Sequence, residues 1–254
     1  MRLGPKAEAF SLPETTAIYT LGMVAKMGSE VVKLRLRSWL GGLLIVVGLA
    51  AVSVPLYQEL IQSPMEAGNQ AAEAKQIAGG FARNPHPSRL TNAKLKVGQI
   101  FGLLYAPRLG TTFRRPIGQG TSVEQVLNPV GIGHYLGTAL PGQVGNFALA
   151  AHRTTHGAAF NNIDTFVPGD DIVVETQWGW YDYKVIGSKV VQPSERWVIQ
   201  ADPLHLGADR YITLTTCTPR YTAAQRLIVW GKLAKSYPRA GGAPSQIVVN
   251  HPTN

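Results

Sequence analysis

The chain has 254 residues, 45% of them hydrophobic, and its 24 basic and 15 acidic side chains give a formal net charge of +9. This length is enough for one well-packed domain with extra segments, and it argues against two large domains. The positive charge suits an anionic surface such as a membrane or a cell wall, but no basic run with interleaved aromatic residues indicates a nucleic-acid partner.

Residues 39–57 form the first apolar segment, WLGGLLIVVGLAAVSVPLY, which contains no charged side chain. A helix of this length spans roughly 30 Å, the thickness of the hydrocarbon core of a bilayer. The basic sequence KLRLR lies just before the segment, so the positive-inside rule places the N-terminus in the cytoplasm. We therefore predict a cytoplasmic tail at 1–37, a single-pass transmembrane anchor at 38–57 and an extracellular remainder that faces the cell wall.

A cleaved signal peptide is the alternative interpretation of this apolar segment. Signal peptides also have a basic leading flank, but their apolar core is shorter and ends at a cleavage site of small residues. The sequence that follows here, QELIQSPME, contains no such site. An uncleaved membrane anchor is therefore the favoured interpretation.

Residues 58–93 are rich in Ala, Gln, Glu, Asn, Gly and Pro. We predict that they form an extracellular stalk or linker, helical in part around EAGNQAAEAKQIA, which spaces the following domain from the bilayer. At the other end of the chain, residues 236–254 are predicted to be a flexible C-terminal tail.

Residues 94–235 consist of short runs of β-forming residues separated by Gly and Pro, which is typical of an antiparallel barrel or sandwich. Eight strands are enough to close a small barrel that is filled with side chains. The predicted strands are QIFGLLYAP, TFRRPI, GHYLG, NFALAAH, DIVVETQW, WYDYKVIGSKVV, YITLTTC and RLIVWGKLA. The long connection 192–209 between the sixth and seventh strands is a candidate functional loop.

One or two short helices are expected within this β-rich region. The sequence TSVEQVLNPV predicts a helix with Thr121 or Ser122 as its N-cap and Glu124 in its first turn. A second short helix is predicted around AAFNNIDTF.

The only cysteine, Cys217, ends a predicted strand in the sequence TLTTCTPR. Pro219 cannot donate a hydrogen bond to a neighbouring strand, so the strand stops there and leaves the thiol at a strand end beside a loop. A single cysteine cannot form a disulfide within the chain. Cys217 is therefore a reactive thiol, a partner in an intermolecular disulfide or a buried core residue.

Two other residues lie at comparable positions. Arg226 starts the next strand nine residues after Cys217, and in a hairpin it returns beside the thiol, where a guanidinium stabilises a thiolate or an oxyanion. His152 ends the strand NFALAAH, and histidine is the commonest general base for a sulfur nucleophile. His156 is a competing base or, with His152, half of a metal site, but no Cys or carboxylate at suitable spacing supports a metal.

Together these residues resemble the sortases, the membrane-anchored cysteine transpeptidases of Gram-positive bacteria. The resemblance rests on TLTTC at 213–217, followed nine residues later by Arg226, and on LAAHR at 149–153. The longer stretch GIGHYLGTALPGQVGNFALAAHRTTHGAAF is similar to the corresponding region of class E sortases of actinobacteria. The resemblance covers about 99–233 and implies a mostly β fold: a closed eight-stranded barrel with one or two short helices, preceded by one transmembrane helix.

The resemblance also implies an enzyme, a thiol peptidase of the hydrolase class, with the catalytic residues His152, Cys217 and Arg226 and without a cofactor or a metal. Cys217 would attack the Thr–Gly carbonyl of an LAxTG- or LPxTG-like sorting signal to form a thioester, and Arg226 would hold the oxyanion. His152 would protonate the departing amine. An amine of a lipid II-like peptidoglycan precursor would then attack the thioester and attach the secreted surface protein to the wall.

Two residues are candidates for contact with the sorting signal. Tyr135 in GHY is one, although it is equally a candidate core aromatic, and Thr216 beside Cys217 is the other, although it is equally an ordinary strand threonine. His134 is expected to be structural. The alternatives to a transpeptidase are a sortase-like thiol hydrolase and a non-catalytic, membrane-tethered barrel that binds peptides.

Overall fold

The computed structural model describes residues 33, 38–83 and 94–248. The chain divides into two units, one at 1–56 and one at 57–254. The predicted cytoplasmic tail, apart from Lys33, lies outside the described residues, as do the end of the predicted stalk and the last six residues.

A helical stretch runs from Ser38–Arg83, with a π-helical turn at Gln58–Gln62. Its N-terminal part is apolar and long enough to cross a membrane, and the large hydrophobic side chains between Trp39 and Leu56 are exposed. These features agree with the predicted transmembrane anchor. The part of this stretch that follows the π-helical turn is α1, Ser63–Arg83.

Eight strands, closed into one barrel, dominate the described part of the second unit, as the sequence predicts. The order around the barrel is β1-β2-β3-β4-β7-β8-β6-β5. Contrary to a purely antiparallel barrel, the pairs β2/β3 and β4/β7 are parallel. The strands are β1 Ile100–Tyr105, β2 Arg114–Gln119, β3 Ile132–His134, β4 Gly145–Ala151, β5 Asp171–Thr176, β6 Gly179–Val191, β7 Arg210–Thr218 and β8 Gln225–Pro238.

The barrel is filled by side chains that alternate with outward-facing ones along the strands, as β4 and β7 show. In β4, Phe147 and Leu149 point into the core, and in β7 Ile212 and Leu214 do so, all of them at most 1% exposed. Each such side chain contributes about 1.5–3 kcal/mol by its removal from water. Because successive residues of a strand point to opposite faces, the alternate residues of β4 and β7 lie on the outer face.

Both predicted short helices are present as single turns. The first spans Val123–Leu127, and the hydroxyl of Ser122 caps it by accepting a hydrogen bond from the backbone N–H of Gln125 at 3.4 Å. Glu124 lies in its first turn, as predicted. The second is a 3₁₀ turn at Ile163–Thr165.

α1 lies against the barrel, although the sequence suggested a stalk that spaces the domain from the bilayer. Ala74 is fully buried and packs with Leu103 and Val173 of the barrel. The amide of Gln70 donates to the backbone carbonyl of His156 at 3.1 Å, and the Ser63 hydroxyl donates to that of Thr154 at 3.2 Å. Ile77 and Phe81 pack against the same cluster, so the helix docks through apolar as well as polar side chains.

The end of the chain also packs on the barrel as far as residue 248. Arg239 donates to the carboxylate of Glu175 at 2.5 Å, and Glu175 is only 1% exposed. Beyond it, α2 at Ser245–Val248 buries Ile247 in the same cluster as Ala74 of α1. The described part of the predicted flexible tail is therefore folded because it supplies the countercharge of a buried carboxylate.

Candidate active site

The pairing of β7 with β8 brings Cys217 and Arg226 together. In the antiparallel register Cys217 lies directly opposite Arg226, as the hairpin interpretation predicts. Directly opposed residues of two strands point to the same face, with Cβ atoms roughly 5 Å apart. The guanidinium of Arg226 is therefore within reach of the thiol.

The parallel pairing of β4 with β7 brings His152 to the same place. Ala150 is the register partner of Thr215, and two residues further along both chains are His152 and Cys217. The hydroxyl of Thr216 donates to the carbonyl of Ala151 at 2.8 Å, which holds the two strand ends in this register. Continued in this register, the parallel pair brings His152 alongside Cys217.

Cys217 lies on the outer face of the barrel. Along β7 the side chains alternate between the two faces of the barrel wall: Leu214 points into the core and Thr215 points outward. Cys217 follows Thr215 at the strand period of two, and the residue is partly exposed. It is a free thiol within the described chain, and the interpretation of Cys217 as a buried core residue is wrong.

Asn128 and His156 flank the imidazole of His152. The Nε2–H group of His152 donates to Oδ1 of Asn128 at 2.8 Å, and the ring of His156 lies 5.2 Å from that of His152 between centroids. Burial, aided by the charge of His156 and opposed by that of Glu66, lowers the pKa of His152. This shift favours the neutral imidazole, and because Nε2 donates to Asn128, Nδ1 is the nitrogen that can accept a proton.

The guanidinium of Arg226 is held by backbone carbonyls. Its Nη1 donates to the carbonyl oxygens of Ala223 and Gln225, both at 3.0 Å. Among the described residues no carboxylate forms an ion pair with Arg226, so its positive charge is oriented but not neutralised. Such a group stabilises an anion that develops beside it.

A cavity of about 290 Å³, here named the Arg226 cavity, adjoins this arginine. Its walls come from the connection between β3 and β4, the end of β6, the strands β7 and β8, and the candidate functional loop 192–209. The hydroxyl of Tyr135 donates to that of Thr215 at 3.0 Å. The residues that line it include Tyr135, Val191, Arg196, Ile199, Thr215, Arg226 and Ile228.

Not every candidate site residue faces this cavity. Tyr135 lines it, whereas the side chain of Thr216 is buried between β7 and β4 and holds Ala151. His134 is fully buried, with Nδ1 at 2.7 Å from Gln119 and Nε2 at 3.0 Å from the carbonyl oxygen of Ala139, in line with the structural role expected for it. No group of three or more metal-binding side chains occurs within 38–83 and 94–248.

Comparison with known proteins decides the family. A model of the sortase domain matches residues 104–234, which is half of the chain. The chain belongs to the sortase family.

The sortases similar to this chain include several of class E, which confirms the resemblance to that class. Sortase SrtE1 of Streptomyces coelicolor is 40% identical over 186 residues, which cover 70% of this chain and 52% of the relative. Sortase SrtE2 of the same organism is 43% identical over 129 residues, covering 46% of this chain and 50% of the relative. The chain thus spans about half the length of these curated sortases.

Solved sortase structures match nearly their whole length to the barrel. Sortase E1 from S. coelicolor, solved with a tripeptide in its active site, is 43% identical with a TM-score of 0.57, covering 59% of this chain and 97% of that one. Sortase E from Streptomyces avermitilis is 36% identical with a TM-score of 0.56, and the match covers 60% of this chain and 99% of that one. The closed barrel is therefore the sortase fold.

Sequence reasoning missed two residues of this sortase site. Asn128 lies in the loop after the first helical turn, and only its closeness in space to His152 reveals its role. Arg153 is 7% exposed, pairs with Asp164 at 3.0 Å and donates to the hydroxyl of Thr218 at 2.7 Å. It joins the loop after His152 to the residue after Cys217, and its position directly after the histidine was the available signal.

Proposed function

We propose that this sortase is a membrane-anchored cysteine transpeptidase in which Cys217, His152 and Arg226 act together. The observation that carries the proposal is the double register, which brings three residues from separate strand ends onto one outer face of the barrel. A nucleophile, a base with a pKa near neutrality or below and an un-neutralised guanidinium are the parts that acyl transfer through a thioester requires.

In the first half-reaction Cys217 attacks the carbonyl carbon of the Thr–Gly bond in a sorting signal. The proton of the thiol passes to His152, a carbon–sulfur bond forms, and the carbonyl oxygen takes up a negative charge beside Arg226. Collapse of this intermediate breaks the carbon–nitrogen bond, and the imidazolium of His152 gives its proton to the departing amine. The product is a thioester on Cys217.

In the second half-reaction an amine attacks the thioester. His152, whose lowered pKa leaves it neutral, accepts the proton of the attacking amine while Arg226 again stabilises the oxyanion. The carbon–nitrogen bond forms, the carbon–sulfur bond breaks, and the thiol is restored. Water in place of the amine gives hydrolysis.

We propose an LAxTG- or LPxTG-like sorting signal as the peptide substrate, with alanine preferred at the second position. The Arg226 cavity supports a peptide ligand, because it is open, partly apolar and adjacent to the triad. The tripeptide in the active site of Sortase E1 from S. coelicolor also supports it. The acceptor is the amine of a peptidoglycan precursor, and the sorted proteins are secreted surface proteins.

We further propose a single-pass protein with a cytoplasmic N-terminus and a barrel that faces the wall. The apolar helix and the basic sequence before it support this topology.

Product analysis tests the proposal. The full chain in detergent is incubated with an LAxTG peptide, with and without triglycine, and the products are identified by mass spectrometry. We expect cleavage between Thr and Gly, a triglycine adduct, and no product with Cys217→Ala. A hydrolysis product alone, at any triglycine concentration, would instead identify a thiol hydrolase, and an active Cys217→Ala variant would exclude Cys217 as the nucleophile.

A further inference from the structure

A second cavity of about 260 Å³ lies beside the loop that follows His152, and it shares no lining residue with the Arg226 cavity. We name it the Arg115 cavity. It lies between the turn that leads into α1, the start of β2 and the loop that follows His152. The residues that line it include Glu59, Phe113, Arg115, Thr154 and Asn161.

The walls of the Arg115 cavity are connected to both catalytic strand ends. Thr154 follows His152 by two residues, and its carbonyl accepts a hydrogen bond from Ser63 of α1. The hydroxyl of Tyr221, four residues after Cys217, donates to Glu59 at 2.5 Å. A ligand in this cavity therefore lies next to the loops that leave the nucleophile and the base.

Arg115 forms no ion pair within the described part of the chain. Its guanidinium lies over the ring of Phe113, 5.0 Å from the centroid, and Nη1 donates to the carbonyl of Arg114 at 3.0 Å. Its Nε is buried without a partner, and no described carboxylate forms an ion pair with it. Burial lowers the pKa of Arg115, and no neighbouring acid opposes that effect. A half-buried, unpaired guanidinium is a site for an anion, above all a carboxylate, which it binds through two parallel hydrogen bonds.

Glu59 restricts which anion fits. It lies in the same cavity, so a ligand with several negative charges, such as a phosphate, meets repulsion there. A ligand that carries one carboxylate and one protonated amine has no net charge, so it avoids this repulsion while its carboxylate binds Arg115. That combination occurs at the end of an amino acid or of a peptide.

We propose that the Arg115 cavity binds the acceptor of the second half-reaction, and that the acceptor is an amine that also carries a carboxylate. Arg115 binds the carboxylate, and the amine extends toward His152 and the thioester on Cys217. The acyl chain then occupies the Arg226 cavity and the acceptor approaches from the other flank. This assignment rests on the proposed transpeptidase function and names the class of its second substrate.

A matched set of acceptors tests the assignment. The full chain in detergent is given a saturating LAxTG peptide and either glycine, diglycine or triglycine, each compared with its C-terminal amide. Wild type is compared with Arg115→Gln and with Lys75→Gln, which removes the same charge from an exposed position on α1. Because each variant is compared with wild type for the same amine, differences in the pKa of the amines cancel.

We expect Arg115→Gln to lower kcat/KM for at least one acceptor with a free carboxylate roughly tenfold or more, which is the value of a charge-assisted hydrogen bond. With Arg115→Gln the corresponding amide should react at the wild-type rate. Hydrolysis of the thioester by water should also proceed at the wild-type rate. Lys75→Gln should leave all rates within about twofold. The acceptor length with the largest effect reports the distance from the thioester to Arg115.

The assignment would be overturned if Arg115→Gln still cleaved the peptide but lost kcat/KM equally for acids and amides. It would also be overturned if this variant lost no kcat/KM for any acid. Failure of wild type to cleave the peptide at all would instead contradict the proposed function. Hydrogen exchange of Arg115→Gln checks that α1 remains docked, because displaced α1 would lower the rates for acids and amides alike.

Discussion

At the scale of single residues, Arg226 is oriented by two carbonyl oxygens and keeps its charge. We expect Arg226→Ala to lower kcat for peptide cleavage by about 100-fold or more, the usual effect of removing one oxyanion donor. Arg226→Lys should recover part of the rate, because the charge remains although the fork geometry is lost. Steady-state kinetics with the LAxTG peptide measures both variants. A kcat within twofold of wild type for Arg226→Ala would contradict this role.

Asn128 accepts the Nε2 proton of His152, and we propose that it orients the imidazole so that Nδ1 exchanges protons. We expect Asn128→Ala to lower kcat roughly tenfold, a fraction of what general acid–base catalysis contributes. Asn128→Asp keeps an acceptor but adds a negative charge, which stabilises the imidazolium and raises the pKa of His152. The limb of the pH–rate profile that belongs to His152 should therefore move to higher pH in Asn128→Asp. A purely structural asparagine would leave that limb in place.

At the scale of elements, the strands could be predicted from sequence because each combines alternating β-forming residues with Gly or Pro at its ends. The position of Cys217 opposite Arg226 followed from a tight hairpin, and only the parallel β4/β7 register had to come from the structure. The docking of α1 was not predicted, although Ala74, Ile77, Ala78 and Phe81 recur at the spacing of one helix face and pack in the same cluster as barrel residues. Two of these four residues are alanines, so the stripe is weak, and the sequence alone does not show which surface receives it.

The glycines that receive α1 show the same limit. A Cβ atom at Gly131 or at Gly157 would lie 2.6 Å from the Oε1 atom of Gln70, so a side chain at either position would displace this amide of α1. Both residues also have positive φ, a backbone conformation that favours glycine in any turn. The sequence alone therefore does not distinguish them from ordinary turn glycines. The Glu175–Arg239 ion pair is a similar case. The sequence shows a carboxylate within the strand DIVVETQW, but it does not show that Arg239, 64 residues later, is its partner.

The docking of α1 is testable with two neighbouring alanines. Ala74 is buried against the barrel, whereas Ala72 is exposed on the same helix. We expect Ala74→Asp to increase hydrogen exchange throughout α1 at least tenfold, because a buried unpaired carboxylate costs several kcal/mol. Ala72→Asp introduces the same charge and should leave the hydrogen exchange of α1 unchanged. Neither variant should change the hydrogen exchange of the barrel strands. Equal exchange of α1 in the two variants would contradict the docked helix.

At the scale of the whole molecule, His134 makes stability depend on pH. Burial lowers its pKa to about 4, against about 6.5 in the unfolded chain. As the pH falls from about 6.5 to about 4, His134 takes up a proton in the unfolded chain but stays neutral in the folded protein. The contribution of His134 to the free energy of unfolding therefore decreases by at most about 3 kcal/mol. Burial raises the pKa of Asp182 to about 7, which acts in the opposite direction, so only a difference between variants isolates His134.

The comparison uses His134→Gln and urea unfolding at pH 7.5 and at pH 4. We expect wild type to be the more stable protein at pH 7.5, because the variant loses buried hydrogen bonds, and the difference in unfolding free energy to shrink toward pH 4. A difference independent of pH would show that His134 takes up its proton equally in both states.

The predicted topology is also a property of the whole chain, and the single cysteine reports it. Cys217 is partly exposed, so a membrane-impermeant maleimide should label it in intact cells that express the full chain. Cys217→Ala is the control for background labelling. Labelling only after the cells are broken would place the barrel in the cytoplasm.

The most direct test of the account is the mass of the intact enzyme during turnover. The full chain is mixed with the LAxTG peptide without an amine, quenched in acid after a short interval and weighed by mass spectrometry. The account predicts an adduct equal to the peptide up to its threonyl carbonyl, located on Cys217, that disappears when an amine is added and never forms in Cys217→Ala. Peptide cleavage without any adduct, or an adduct that persists in Cys217→Ala, would contradict the thioester mechanism.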